Sequence, residues 1–213
     1  MRQILALLLL GGLVVAAADT ASAQPRRQGL EIGTQFGRGI AELTVGGARL
    51  DESKGGIFFG FMATRHVFGP LALQGELNLA VKGGRSTGEV AGEPILFDLD
   101  LTYMEVPVFA VLHSPRIAEV VGFRAFAGGS LEPLVGCEVE VVDSPGGARP
   151  DCRDLITSLD LGLTAGVGLD VFLEGLTIRL DLRRTDGQRQ VNREGNTPVR
   201  NRTTVLSVGL MLF

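Results

Sequence analysis

His66 and His113 are the only histidines in the chain, and Cys137 and Cys152 the only cysteines. Nucleophilic catalysis of the acyl-transfer kind needs a hydroxyl, an imidazole and a carboxylate arranged in series. Neither histidine has such a set in order around it. Both fall in or beside short turn-like segments, Arg65–Pro70 and Ser114–Glu119, where a histidine reads as a solvated surface residue. No phosphate-binding loop and no metal-ligand spacing occurs, so neither catalysis nor a cofactor is expected.

The remaining candidates are charged residues embedded in apolar segments. Glu76, Asp98, Asp100, Glu105, Arg124, Asp160, Arg179, Asp181 and Arg183 stand at alternate positions among Leu, Val, Ile and Phe, as do Glu31, Gln35, Gln74, Asn78, Lys82 and Asp170. Acids and bases spaced in this way could form an ion path, a binding pocket or a mutually paired plug. Burying an unpaired charge is costly, so in a narrow interior pairing is the expected outcome. Glu105 and Arg124, on neighbouring segments, are the expected partners.

A period of two positions these side chains on strands, because successive side chains of a strand point to opposite faces of the sheet. Ser158–Phe172 is the clearest case. Leu159, Leu161, Leu163, Ala165, Val167, Leu169 and Val171 make one face, and Asp160, Gly162, Thr164, Gly166, Gly168 and Asp170 the other. The run exceeds an ordinary soluble strand and matches the roughly 9 to 11 tilted residues that cross a bilayer. Apolar side chains could face lipid with polar ones in a lumen, or the apolar face could point inward, as in a soluble lipocalin-like barrel that binds a hydrophobic ligand.

Seven further segments alternate in the same way: Gln28–Gly37, Gly56–Thr64, Leu71–Lys82, Leu96–Leu112, Val121–Leu131, Leu176–Arg184 and Thr203–Phe213. In Leu96–Leu112 the parity slips near Tyr103-Met104, with Leu101 on the apolar face before the slip and Glu105 on the polar face after it. A β-bulge there, or Pro107, would account for this. The last segment carries apolar residues on both faces, so its outward side is open. The connections alternate long and short: Arg38–Gly55, Gly83–Pro94, Glu132–Thr157 and Asp186–Arg202 are long, and the three between them are short. A meander would therefore gather the long loops at one end. Short periplasmic turns, longer extracellular loops and an even strand number characterise outer-membrane barrels. The expected fold is all-β, an eight-stranded antiparallel up-and-down transmembrane β-barrel.

Residues 1–23 read as a cleaved signal peptide, with Arg2, an apolar core from Ile4 to Val15 and Ala21-Ser22-Ala23 before the cut, leaving residues 24–213 as the barrel domain. In an oxidising compartment Cys137 and Cys152, which flank a Pro/Gly-rich segment, are expected to form a disulfide worth about 3 kcal/mol by loop entropy. A formal charge of −4 gives no sign of nucleic-acid binding.

The segment Leu101-Thr102-Tyr103-Met104-Glu105-Val106-Pro107-Val108 resembles the Tyr-x-Glu-x-Pro strand of the PorT-like outer membrane β-barrel domain family of Gram-negative bacteria. Leu77–Gly83, ending in Lys-Gly, resembles its preceding strand, and the terminal Phe213 resembles a barrel assembly signal. The resemblance spans essentially the whole mature chain. It implies residence in the outer membrane, contact with its lipid and with the barrel assembly machinery, and a structural, adaptor or secretion-assembly role alongside an envelope protein. A narrow solute channel is the other membrane option. Some barrels of this size are lipases, acyltransferases or proteases with their catalytic residues at the outer side, the end opposite the two histidines. Trp is absent and Tyr103 is the single tyrosine, a departure from the usual aromatic girdles. The Cys-bearing loop is acidic through Glu132, Glu138, Glu140, Asp143, Asp151 and Asp154. The last is basic through Arg189, Arg193, Arg200 and Arg202, which could meet lipopolysaccharide phosphates or pair with the acidic loop.

Overall fold

A computed structural model describes residues 29–45, 48–49, 52–90, 93–141, 157–189 and 199–212. The strands are β1 (Leu30–Val45), β2 (Ala48–Arg49), β3 (Glu52–Phe68), β4 (Leu71–Val90), β5 (Glu93–His113), β6 (Val121–Val141), β7 (Leu159–Leu173), β8 (Leu176–Gly187) and β9 (Val199–Leu212). β2 is a two-residue return against the end of β1. The other eight pair with their sequence neighbours, all antiparallel, and β1 also pairs with β9 from Ile32↔Leu212 to Val45↔Val199. That last pairing closes the sheet into an eight-stranded barrel and removes both edges.

The orientation is the one expected for a membrane barrel. Outside, Leu163, Val167, Leu182, Leu206 and Phe36 are more than half exposed, whereas Gln35, Asn78, Arg124, Asp170 and Arg179 inside are almost fully buried. The inward-apolar, lipocalin-like arrangement is thereby excluded. β9 is also resolved. Leu206, Val208, Leu210 and Leu212 face out, and Val205 and Met211 pack inside. Tyr103 points into the lumen at 1% exposure, so it belongs to no outer girdle. The outer face instead carries arginines near its two ends, Arg38, Arg184 and Arg202 toward the long loops and Arg65 toward the short turns.

Strand boundaries at the long-loop end differ from expectation for one reason: the pairing continues through polar sequence. β4 and β5 are 20 and 21 residues long and pair as far as Val90↔Glu93, so most of Gly83–Pro94 is strand rather than loop. β1 and β3 likewise take up most of Arg38–Gly55, and β6 runs to Val141. These strands exceed what a bilayer crossing needs and extend the hairpins beyond the apolar band at the long-loop end.

The irregularity near Tyr103 lies on the neighbouring strand. Thr102 pairs with Gly136 and Tyr103 with Leu134, so the extra residue is Val135 of β6. β5 keeps its parity across this point, and Leu101 faces inward with 0% exposure. The parity slip expected within β5 is absent: its register with β4 is unbroken here, and the apolar Leu101 before Tyr103 simply faces inward. Asp100, on the opposite parity from Leu101 and Tyr103, is half-buried rather than part of the lumen. Asp98 belongs to β5 by its backbone, but its side chain lies outside the described residues, as does Cys152. Cys137 is buried near the long-loop end of β6.

Candidate functional site: the barrel lumen

Even numbering on β3, β4 and β7 and on β6 as far as Leu134, and odd numbering on β1, β5, β8 and β9, selects the side chains that face inward. Among the described residues the buried ionisable set is Glu31, Glu76, Glu105, Glu132, Asp160, Asp170 and Asp181 against Lys82, Arg124, Arg179 and Arg183. Of the fifteen lumen residues expected from sequence, thirteen are buried; Asp100 is half-buried, and the side chain of Asp98 lies outside the described residues.

Toward the short turns, Arg179 donates from Nη2 to Glu31 Oε2 at 2.8 Å and from Nη1 to Thr64 Oγ1 at 2.9 Å and Gln74 Oε1 at 3.3 Å. Its Nε is 3.4 Å from Asp170 Oδ1, which also lies 3.1 Å from Arg124 Nε. Arg124 reaches Asp181 through Nη2. Midway, Glu76 Oε2 accepts from Arg183 Nη1 and Gln35 Nε2 at 2.7 Å and from Asn78 Nδ2 at 2.8 Å. Above it Lys82 Nζ sits 2.6 Å from Glu105 Oε1 and 2.5 Å from Glu132 Oε2, and 5.2 Å from the centre of the Tyr103 ring. Arg183 lies over the Phe58 ring at 4.2 Å, so the guanidinium is held on an aromatic face as well as by its carboxylate. Together these contacts link β1, β3, β4, β5, β6, β7 and β8 across the lumen.

The Glu105–Arg124 pair expected from sequence does not form. Arg124 is in register with His113, eight residues along β5 from Glu105. At about 3.4 Å per residue that places the two far out of reach. Glu105 pairs instead with Lys82 and approaches Arg183 at 3.8 Å, while Arg124 turns to Asp170 and Asp181.

The histidines are also corrected. β3 and β5 extend through His66 and His113, both of which are half-buried, with ring centres 5.0 Å apart. His66 Nε2 is 3.6 Å from Glu31 Oε1 and His113 Nδ1 is 3.5 Å from Asp170 Oδ2. The residue sequence missed is Glu132, assigned to the acidic loop but 1% exposed in the lumen. Continuing the inward parity of Arg124, Phe126 and Ser130 on β6 finds it, as continuing that of Met62 and Thr64 on β3 finds His66.

Gly168 allows the Arg124–Asp181 pair to lie against β7. A Cβ there would sit 2.8 Å from Arg124 Nε and closer still to Asp181 Oδ1. Gly168→Ala is expected to destabilise the barrel by about 1–3 kcal/mol, as overpacking in a filled interior does. The check is the denaturant midpoint of the folded, heat-modifiable form on gels.

Of the basic loop, Arg202 Nε is held by Asp186 Oδ1 at 2.5 Å, and the Arg189 backbone N–H donates to Asp160 Oδ1 at 3.2 Å. Arg193 lies outside the described residues. Among those residues no group of three His, Cys, Asp or Glu is placed to hold a metal ion.

The family model described as outer membrane protein beta-barrel domain matches residues 22–187. The PorT-like type stays a resemblance of the Tyr103–Pro107 motif. A comparison with curated proteins finds no match. Among solved structures the chain is similar to Neisserial surface protein A, at 14% identity and a TM-score of 0.52, covering 86% of this chain and 98% of that one. It is similar to OprG from Pseudomonas aeruginosa at 12% identity and a TM-score of 0.50, covering 90% and 99%. Ail of Yersinia pestis follows at 17% identity and a TM-score of 0.44, covering 86% and 99%. At these identities the likeness to the first two shows the fold alone.

Proposed function

Since the chain belongs to the outer membrane protein β-barrel domain family, whose fold and membership indicate the outer membrane, we propose that its lumen is a closed, non-catalytic plug. Its role is then structural or adaptor-like: the barrel holds its long-loop hairpins at the cell surface, stabilises the envelope or contributes to a secretion or transport assembly. The supporting observation is the continuous chain of ion pairs and hydrogen bonds from Glu31 through Arg179, Asp170, Arg124, Gln74, Glu76, Arg183, Glu105 and Lys82 to Glu132, with the neutral Gln74 amide joining its two ionic halves. Each cation in this chain is engaged on two or more sides, and the side chains occupy the interior that a solute would have to cross.

In this reading residues 1–23 direct export, Cys137 and Cys152 close the segment between β6 and β7, and insertion proceeds through the barrel assembly machinery. The outer partners are membrane lipid and lipopolysaccharide. Arg38, Arg184 and Arg202 supply guanidinium groups near the long-loop end of the outer face, the level at which phosphates would be met.

The alternative is a narrow channel, and planar-bilayer recording separates the two. The purified barrel is expected to insert without discrete conductance steps. Reproducible single-channel openings would replace the plug with a pore.

A further inference from the structure

Glu132 and Asp160 lie directly opposite each other across the β6–β7 pair, both facing inward and both almost fully buried. Like charges in that arrangement repel. Lys82 offsets Glu132, but it is shared with Glu105. Asp160 Oδ1 accepts from the backbone N–H of Leu161 at 2.7 Å and of Arg189 at 3.2 Å, whereas its buried Oδ2 has no hydrogen-bond partner among the described residues.

Two more side chains near this end of the lumen share that condition. Asn201 is 3% exposed with neither amide atom partnered, and Thr203, on the same face of β9 at 5%, has an unpartnered hydroxyl. Gly187 of β8 lets Asp160 approach the backbone of Asn201: a Cβ there would lie 2.8 Å from Asp160 Oδ2 and 2.9 Å from the Asn201 backbone carbonyl oxygen. A carboxylate, an amide and a hydroxyl therefore line one end of the lumen unsatisfied, in an interior where the described residues include three more buried carboxylates than buried Lys and Arg cations.

We propose that the long-loop end of the lumen is a calcium site formed by Asp160, Asn201 and Thr203, with water completing the shell and Glu132 adding negative potential. Every available donor is oxygen, which selects hard cations over zinc or copper. Calcium accepts carboxylate, amide and hydroxyl oxygens in irregular geometry, whereas magnesium demands a strict octahedron and gives up water reluctantly. The bound ion ties β7 to β9 across Gly187 and offsets the charge that Lys82 leaves uncompensated. With one carboxylate as direct ligand, affinity falls in the range of extracellular modules, on the order of 10⁻⁴–10⁻³ M. The site stands whether or not the lumen conducts.

Terbium luminescence reads it directly, because Tyr103 is the only tyrosine, the chain has no tryptophan, and the ring lies beneath the Lys82 that bonds Glu132. Folded barrel excited through tyrosine is expected to sensitise terbium, with calcium competing and equal magnesium competing at least about tenfold less well. Asp160→Asn and Gly187→Ala, the second of which leaves every charge in place, each weaken binding by about tenfold or more, the loss typical of disturbed metal-site residues. Tyr103→Phe abolishes the emission but keeps the calcium-induced rise in unfolding midpoint. Asp160→Asn also reverses the order of stability: it exceeds wild type in chelator and falls below it in calcium. The proposal is overturned by absent sensitised emission, by emission that calcium does not displace, or by Asp160→Asn binding as wild type does. It is equally overturned if calcium stabilises both proteins alike, which would mark an adventitious ion only.

Discussion

Replacing Arg179 with methionine lowers the unfolding free energy by about 3–5 kcal/mol, the cost of removing one partner from a buried ion pair. Arg179 is 1% exposed and meets Glu31, Asp170, Thr64 and Gln74 at once. Methionine fills much of the volume but leaves Glu31 with only the half-buried His66 for compensation at 3.6 Å. Asp170 retains Arg124 at 3.1 Å, so the damage concentrates on Glu31. Arg179→Met with Glu31→Gln is therefore expected to recover part of the loss, with a coupling energy of about 0.5–3 kcal/mol in a double-mutant cycle. Urea titration of the refolded barrel, read by gel migration or circular dichroism, measures each corner. Additive losses would show that the two side chains do not interact.

Val208→Arg tests the outer face in the same assay and is expected to cost about 2–4 kcal/mol. Val208 is 47% exposed, lies between Phe36 of β1 and Leu180 of β8, and has Leu206 and Leu210 along its own strand. An arginine there must put its charge into hydrocarbon. Leu30→Arg, at the short-turn end of the same apolar band, lies where the guanidinium can reach water and is expected to cost only about 0–1 kcal/mol. The contrast between two outward-facing aliphatic positions, Val208 and the no less exposed Leu30, measures depth rather than burial. Equal effects in lipid would remove the bilayer from the account of this surface.

Much of this was legible in the chain itself. The alternation from Leu159 to Val171 assigns both faces of β7, and the structure keeps all of them. Closure followed from the even strand number and the alternation of long and short connections. Strand ends were less visible because the signals for turn and lumen coincide. His66, His113 and Glu132 are polar residues near Pro or Gly, and only sustained parity separates a lumen position from a loop. Leu101 was misassigned for a different reason. β5 runs on without a slip, so the apolar Leu101 shares the inward face of Tyr103 and Glu105, and residue type alone points it the wrong way.

Partners were harder still. Adjacent strands in a barrel are staggered, so neighbours in chain order need not lie at one height. Arg124 finds its acids on β7 and β8, across a lumen whose geometry emerges only once the sheet has closed. The calcium site has the same origin, since Asp160 and Asn201 come from strands that are not paired with each other.

The pairing of Ile32 with Leu212 joins the first strand to the last. It is the least local contact in the fold, and bringing such distant segments together carries the largest entropic penalty of any pairing in the chain. Topologies dominated by non-local contacts fold slowly. Until that seam zips, the two outermost strands both present unsatisfied amides and carbonyls to hydrocarbon, which tolerates neither. Completion of the cylinder and entry into the bilayer are therefore coupled, and a ribbon lacking its final strand has no stable resting place in lipid.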